Sequence, residues 1–206
     1  MMNDFIHRFI RGATHRTLLL LHGTGGNEND LLPLGRAIDA DASILSPRGK
    51  ILENGAPRFF RRLAEGVFDE EDVVVRAHEL AKFISAAAET YNFDEGAAVA
   101  VGYSNGANIA SAMLLLGLLN LRGAILFRPM PPLSRGVPNN SLENFAILLC
   151  SGRFDPIATS EQVDALAELF RQRGAEVEVR QQPGGHELTN ADIEAARDWL
   201  AASAIA

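Results

Sequence analysis

Cysteine and long apolar runs are both scarce in this sequence, and each scarcity excludes a class of protein. The single cysteine, Cys150, cannot form an internal disulfide and leaves no CxxC pair or Cys/His cluster for zinc. The longest apolar stretch, residues 114–121, is interrupted by Gly117 and Asn120 and is far shorter than the roughly 20 residues that span a bilayer. We therefore expect a reducing compartment and no membrane span.

Basic charge is also in short supply. Nineteen basic against 26 acidic residues give a formal net charge of −7, so no overall positive field is available to hold a nucleic-acid backbone. Histidines and arginines interrupt the chain before Thr17, and residues 18–21 are too few for the apolar core of a signal peptide. The sequence therefore predicts a cytoplasmic protein that does not bind nucleic acid.

The 206 residues have a near-average globular composition, which indicates one domain over residues 1–206. Short apolar runs alternate with segments of helical period, and this alternation favours an α/β fold with a mainly parallel, twisted sheet and helices on both faces. The predicted strands are residues 17–21, 97–101, 123–127 and 145–150, with weaker candidates at 43–45 and 177–179. Helical spacing marks residues 77–91 and 163–170, and capping patterns begin helices at Thr159 and Thr189.

The segment from Ser46 to Glu71 shows no sustained period and is predicted to be an irregular excursion. A loop of this length is often functional, so it is a candidate pocket wall, although a short helix with a surface loop fits equally well. Its four arginines could bind a substrate carboxylate, but ion pairs within an acidic protein are favoured. These arginines are Arg48, Arg58, Arg61 and Arg62. The apolar wall candidates are Phe59, Phe60, Phe68 and the turn of residues 130–133.

A serine between two glycines stands where a strand is predicted to give way to a helix. Gly102-Tyr-Ser104-Asn-Gly106 directly follows an apolar strand and precedes a run of small residues. This context is typical of the nucleophile elbow of α/β-hydrolases, in which a strained turn presents the serine at the edge of the sheet. Glycine is needed at Gly102 and Gly106 because neighbouring chain approaches closely there. A serine in an ordinary glycine-rich turn is the alternative.

A serine hydroxyl needs a positioned base, and chain order narrows the choice. In α/β-hydrolases the order is serine, acid, histidine, and of the five histidines only His186 follows Ser104. Among the acids between them, only Asp155 comes shortly after a predicted buried strand, and Pro156 restricts its backbone to extended conformations. Asp155 would accept Nδ1–H of His186 and fix its tautomer. The alternatives are a lone surface histidine and an aspartate in a plain turn.

A glycine-rich turn, Gly23-Thr24-Gly25-Gly26, follows the first predicted strand. Two backbone N–H groups would hold the negative oxygen of the reaction intermediate: that of Asn105, which follows the serine, and that of Thr24 in the early turn. A phosphate-binding loop is the rival interpretation of these glycines. It is weakened because G-x-x-x-x-G-K-[ST] is absent and Glu28 stands where G-x-G-x-x-G requires its third glycine.

Together these residues resemble the phospholipase/carboxylesterase family of the α/β-hydrolases, which also contains acyl-protein thioesterases. The resemblance covers nearly the whole chain and looks most like the small bacterial carboxylesterases of that family. It is carried by residues 20–33, Ser46-Pro-Arg-Gly49, residues 101–108, the Asp155-Pro156 pair and Gly185-His186. It implies an α/β-hydrolase fold, a triad of Ser104, Asp155 and His186, oxyanion donors at Thr24 and Asn105, and an enzyme that uses no cofactor or metal.

One departure from relatives bears on the substrate, and a second comparison concerns the nucleophile. Many thioesterase members have Phe-Ser-Gln-Gly around the serine, whereas this chain has Tyr103 and Asn105, which argues against thioester or protein substrates. Dienelactone hydrolases have cysteine at the nucleophile, where this chain has Ser104. Cys150 lies in a strand pattern instead and is interpreted as a core residue.

The leading hypothesis is a serine carboxylesterase that hydrolyses small, uncharged acyl esters through an acyl-enzyme intermediate. With 206 residues the chain has no room for a large cap domain, so we expect an open cleft. One alternative keeps the triad and acts on thioesters or lysophospholipids; another is a hydrolase-like protein that binds a ligand without turnover. Dimers occur in the family resembled, so the sequence leaves monomer and homodimer open.

Overall fold

The computed structural model describes residues 5–202, with a seven-stranded sheet at its centre. The strands of the chain are β1 (His7–Ile10), β2 (Thr17–Leu21), β3 (Ser43–Pro47), β4 (Ile51–Glu53), β5 (Ala56–Arg58), β6 (Arg62–Ala64), β7 (Val67–Phe68), β8 (Ala98–Tyr103), β9 (Gly123–Phe127), β10 (Ala146–Gly152) and β11 (Glu176–Gln182). The helices are α1 (Leu32–Ile38), α2 (Glu70–Tyr91), α3 (Asn105–Leu115), α4 (Ser160–Arg171) and α5 (Asn190–Ala202).

The central sheet has the order β1-β3-β2-β8-β9-β10-β11. All its neighbouring strands pair in parallel except β1, which lies antiparallel to β3 at one edge. The chain runs outward from β2 to β3 and then returns to place β8 on the other side of β2. The strand order therefore reverses between β2 and β8, and α/β proteins bind ligands beyond the carboxyl ends of the strands at such a point.

Two apolar layers cover the sheet, which explains why its strands are almost continuously hydrophobic. In β2 the four leucines alternate: Leu19 and Leu21 pack in the layer that contains α2, α3 and α4. Leu18 and Leu20 pack in the layer formed with α1 and α5. Burial on both faces leaves only the strand ends and the loops beyond them for polar chemistry.

The six strands predicted from apolar runs are all present within three residues of their predicted ends, and the predicted helices lie within α2 and α4. Both predicted helix starts carry capping bonds. The Thr159 N–H donates to Gln162 Oε1 at 3.0 Å, and the Thr189 N–H donates to Asp192 Oδ2 at 2.9 Å. Among the described helices, none combines the length and apolar character that a bilayer crossing needs.

The prediction of an irregular excursion over residues 46–71 is wrong. This segment forms two small antiparallel ribbons, β4–β5 and β6–β7, before α2 begins. Strands of two or three residues are too short to show a period in the sequence. Sequence reasoning also missed strand β1, which has four residues, and helix α1, which has seven, because such short elements show little pattern of their own.

Candidate active site

Ser104 lies on a sharp turn between β8 and α3. Its φ of 51° and ψ of −113° are unusual for a residue with a side chain, and such backbone strain costs roughly 1–3 kcal/mol. The turn is held from both sides, because the Ser104 N–H donates to Phe127 O at 2.9 Å and Ser104 O accepts from the Asn108 N–H at 2.9 Å. The strained conformation is therefore imposed by the surrounding sheet and helix.

The turn also depends on glycine at two positions. A Cβ at Gly102 would lie 2.6 Å from Ala107 Cα, and a Cβ at Gly106 would lie 1.9 Å from Leu21 O. Both distances are far inside van der Waals contact, so no other residue fits without a backbone shift. This is the close approach that the sequence pattern predicts for both glycines.

His186 and Asp155 meet Ser104 at the carboxyl end of the sheet. Nε2 of His186 lies 2.9 Å from Ser104 Oγ, and Nδ1 lies 2.8 Å from Asp155 Oδ2. The Asp155 carboxylate is fully buried, and its Oδ1 accepts from the N–H groups of Ile157 at 2.8 Å and Ala158 at 3.0 Å. Both oxygens of the acid are thus engaged, which fixes its orientation toward the histidine.

The loop that carries His186 is clamped by its backbone carbonyls. Arg128 donates from Nε to Gly185 O at 2.9 Å and from Nη2 to Glu187 O at 2.8 Å. The Tyr103 hydroxyl donates to the carbonyl of His186 itself at 3.0 Å. Burial raises the pKa of the Tyr103 phenol, so it keeps the proton that it donates. Three successive carbonyls around the histidine are therefore held by two side chains.

Arg128 is itself anchored in the interior. Its side chain has no exposed surface, and Nη1 and Nη2 each lie 2.8 Å from a carboxylate oxygen of Asp192, at the start of α5. Burial alone would lower the pKa of Arg128, but the hydrogen bonds with Asp192 outweigh it and the pKa is raised. Breaking such a buried pair typically costs about 3–5 kcal/mol, because it leaves an unpaired charge in the interior.

The early glycine turn places Thr24 beside the same site. Thr24 and Asn105 both line a cavity with Ser104. Asn105 is the first residue of α3, where the helix itself offers no acceptor for its N–H. The turn is tied to β5, because the Gly25 N–H donates to Pro57 O at 2.9 Å and Thr24 Oγ1 accepts from Arg58 at 2.9 Å.

His22 stabilises this turn through hydrogen bonds of both ring nitrogens. Its Nε2 accepts from the Gly49 N–H at 2.9 Å, so the proton must reside on Nδ1, which donates to Gly23 O at 2.6 Å. Burial lowers the pKa of His22, which keeps the ring neutral and preserves this pattern. The histidine thereby joins the first turn of the site to the segment that follows β3.

The cavity beside Ser104 has a volume of about 200 Å³. The β4–β7 ribbons supply one part of its wall through Arg58, Arg62, Glu65 and Phe68. The sequence also predicted Phe59, Phe60 and the turn of residues 130–133 in the cavity wall, and this is wrong for most of them. Phe59 and Phe60 are buried in the core, and of residues 130–133 only Met130 lines the cavity. Both aromatic rings belong to the apolar cluster that also contains residues of α2 and α3.

The phospholipase/carboxylesterase family matches residues 10–204 of this chain. The chain belongs to that family. MhqD of Bacillus subtilis (strain 168), a protein classed as a hydrolase, is 51% identical over 193 residues, which are 94% of this chain and 96% of MhqD. This carboxylesterase-family chain is accordingly a hydrolase.

Solved structures of similar proteins agree with this. A carboxylesterase from Bacillus cereus has a TM-score of 0.92 at 46% identity, covering 95% of this chain and 93% of its own. A carboxylesterase from Mesorhizobium loti also has a TM-score of 0.92, at 33% identity, covering 98% of this chain and 96% of its own. The carboxylesterase-family chain therefore has the α/β-hydrolase fold.

Cys150 takes no part in the candidate active site. The residue lies in the middle of β10 with no exposed surface, as expected for a core residue. Burial raises the pKa of its thiol to about 12, so the reactive thiolate is not populated near neutral pH. Within residues 5–202, no group of three or more His, Cys, Asp or Glu side chains could hold a metal ion.

Sequence reasoning missed Arg128, Tyr103 and His22 as supports of this candidate site. A signal existed for Arg128, since it is a charged residue placed directly after an apolar strand, at the edge where ligands bind. His22 carried the same signal, since it directly follows the apolar run of residues 17–21. Tyr103 carried none, and its partner His186 lies 83 residues away in the chain.

Proposed function

We propose that this chain is a serine carboxylesterase that hydrolyses small acyl esters, with Ser104, His186 and Asp155 as its catalytic triad. The observation that carries the proposal is the continuous chain of hydrogen bonds from Ser104 Oγ through both ring nitrogens of His186 to Asp155 Oδ2, at 2.9 Å and 2.8 Å. The three residues follow one another along the chain in the order serine, acid, histidine, which is the order of an α/β-hydrolase triad.

In the first half of the reaction, Ser104 Oγ attacks the ester carbonyl while His186 Nε2 takes the hydroxyl proton. Asp155 accepts Nδ1–H and stabilises the imidazolium that forms, without taking the proton itself. The N–H groups of Thr24 and Asn105 donate to the negative oxygen of the tetrahedral intermediate. His186 then gives its proton to the leaving alcohol, and an acyl-enzyme remains.

In the second half, water replaces the alcohol. His186 takes a proton from water, the resulting hydroxide attacks the acyl carbonyl, and the same two N–H groups hold the second oxyanion. Return of the proton to Ser104 Oγ releases the acid. A cavity of about 200 Å³, below the roughly 300–1,000 Å³ of pockets for drug-sized ligands, favours small esters over long-chain substrates.

The test is hydrolysis of a short p-nitrophenyl ester by the wild type and by Ser104→Ala, with fluorophosphonate labelling of both. We expect the variant to lose activity by a factor on the order of 10⁴ or more and labelling to be confined to the wild type. Equal rates and no labelling of either protein would show that the turn is not a catalytic elbow. Matched oxygen and thio esters of increasing chain length then separate an esterase from a thioesterase or lysophospholipase.

A further inference from the structure

The cavity beside Ser104 contains a buried guanidinium with a free donor. Arg58 is 3% exposed and lines the cavity. Its Nε donates to Phe60 O at 3.2 Å, and its Nη1 donates to Thr24 Oγ1 at 2.9 Å and to Glu53 Oε2 at 3.0 Å. Among the described residues nothing accepts from Nη2. Burial lowers the pKa of Arg58, yet a guanidinium stays protonated in proteins, so the positive charge persists.

A second arginine faces the same cavity. Arg62 donates from Nε to Glu53 Oε1 at 2.9 Å, and neither of its Nη atoms has a partner within residues 5–202. Two guanidinium groups thus share the single carboxylate of Glu53. Glu53 therefore leaves one positive charge of these two arginines unpaired, with several N–H groups directed to no protein acceptor.

Two asparagines on the first turn of α3 add donors beside the proposed nucleophile. Asn105 Oδ1 accepts from the Phe59 N–H at 2.7 Å, which leaves its Nδ2 buried with no partner in the described chain. The residue is only 2% exposed, and a buried donor without an acceptor is rare in proteins. Asn108 Oδ1 likewise accepts from the Met130 N–H at 2.8 Å. The amino group of Asn108 is therefore the part of its amide with no acceptor among residues 5–202. Both residues line the cavity.

We propose that these donors form a carboxylate subsite and that the substrate is a small ester with a free carboxylate, in place of the uncharged ester expected from the sequence. A carboxylate accepts several hydrogen bonds at once and matches the planar fork of a guanidinium. It would neutralise the excess charge of the arginines and supply the acceptor that Asn105 Nδ2 lacks. This inference rests on the proposed esterase function and names its substrate class.

One acidic side chain also lines the cavity. Glu65 lies between β6 and β7, is exposed, and forms no ion pair with Arg58 or Arg62 in the described structure. Its charge is screened by water and salt, so it opposes an anionic ligand weakly. This residue also offers a useful variant, because its neutralisation should strengthen a carboxylate subsite without disturbing the arginines.

The test compares esters that differ only in a carboxylate. The first set is the monoethyl esters of malonic, succinic, glutaric and adipic acid, each against the ethyl ester of the unsubstituted acid of equal carbon number. The second set is O-acetylglycolate against ethyl acetate, which places the carboxylate on the alcohol part. Release of ethanol or acetate gives kcat/KM for each. We expect at least one carboxylate ester to be preferred about tenfold or more at low ionic strength.

Three variants assign that preference. Arg62→Gln should lower the ratio of carboxylate to neutral ester by about tenfold, and Glu65→Gln should raise it. Arg61→Gln is the matched control, because Arg61 is an exposed neighbour that pairs with Asp69 and does not line the cavity. It should leave the ratio unchanged. Thermal unfolding midpoints check that the variants are folded.

Each outcome separates the two proposals. Hydrolysis of neutral esters with no preference for any carboxylate ester would overturn the subsite and leave the esterase intact. An equal loss of preference in Arg62→Gln and Arg61→Gln, or a fall in Glu65→Gln, would also overturn it, because the effect would not come from the cavity. Failure to hydrolyse any ester, with no fluorophosphonate labelling of the wild type, would instead refute the esterase function.

Discussion

Asp155 illustrates how much of the site depends on the environment of a single side chain. The sequence identifies this aspartate by its place after a buried strand, yet its orientation comes from two backbone N–H groups on Oδ1 and from His186 on Oδ2. A carboxylate held in this way presents one fixed acceptor to the imidazole. The proposed tautomer of His186, with its proton on Nδ1, follows from that acceptor.

Asp155→Asn tests this arrangement. The amide oxygen can still accept from Ile157 and Ala158, which leaves the NH₂ group facing His186 Nδ1 and favours the wrong tautomer. We expect kcat on a short ester to fall by roughly 10⁴, with little change in the unfolding midpoint. Asp164→Asn is the control, since Asp164 lies exposed on α4. Retention of more than about a tenth of the wild-type kcat in Asp155→Asn would contradict the assigned role.

The junction of β8 with α3 is the element on which the site is built. The turn at Ser104 is possible only because α3 packs directly against the end of β2, with Gly106 at the contact. The loop of His186 is brought over this turn by Arg128 and Tyr103, which reach it from the ends of β9 and β8. Strand ends and helix starts, rather than the site residues themselves, thus set the geometry.

Gly106→Ala tests the close approach. The added Cβ would lie 1.9 Å from Leu21 O, so strand and helix must separate, and we expect the free energy of unfolding to fall by about 3 kcal/mol or more. Gly184→Ala provides a comparison, because its Cβ would first meet Thr189 Cγ2 at an ordinary 3.5 Å. Chemical denaturation of both variants is the measurement. Similar stabilities for the two would show that the junction is looser than the structure indicates.

The molecule as a whole brings distant segments together through the strand order. Because the chain returns from β3 to place β8 beside β2, the glycine turn after β2 and the serine turn after β8 become neighbours. His22 then bridges the first turn to Gly49 in the interior. Its burial lowers its pKa, which ties the stability of the fold to pH.

The sign of this dependence follows from proton binding. Below the ordinary histidine pKa of 6.5 the unfolded chain binds a proton at His22 that the folded chain resists, so the free energy of unfolding falls as the pH drops below that value. The paired carboxylate of Glu28, whose pKa is lowered by hydrogen bonding to Arg48, adds its own loss only below about its ordinary 4.5. Of these two groups, only His22 therefore changes the free energy of unfolding between pH 6.5 and about pH 4.5.

We expect the wild type to lose more stability between pH 7 and pH 5.5 than His22→Gln does, as measured by urea unfolding at each pH. His78→Gln, at an exposed position on α2, should behave like the wild type. Parallel pH dependences for the wild type and His22→Gln would mean that another group controls stability in this range.

Local patterns in the sequence were sufficient for the fold class, the central strands, both helix caps and the family. Apolar runs, glycines at a strained turn and capping residues act over a few neighbours, so they can be interpreted without the tertiary structure. The sequence also named Ser104, Asp155 and His186 as a group, from their order along the chain.

Only the tertiary structure decided what surrounds those three residues. The clamp by Arg128 and Tyr103 and the hydrogen bond of the neutral His22 each join groups far apart in the chain. The ribbons that carry Arg58 and Arg62 are too short to show a period. Which polar group finds a partner and which is left unpaired depends on burial at positions that no local pattern specifies. The physical reason is that long-range pairing is settled by packing of the whole sheet, whereas sequence patterns report neighbours.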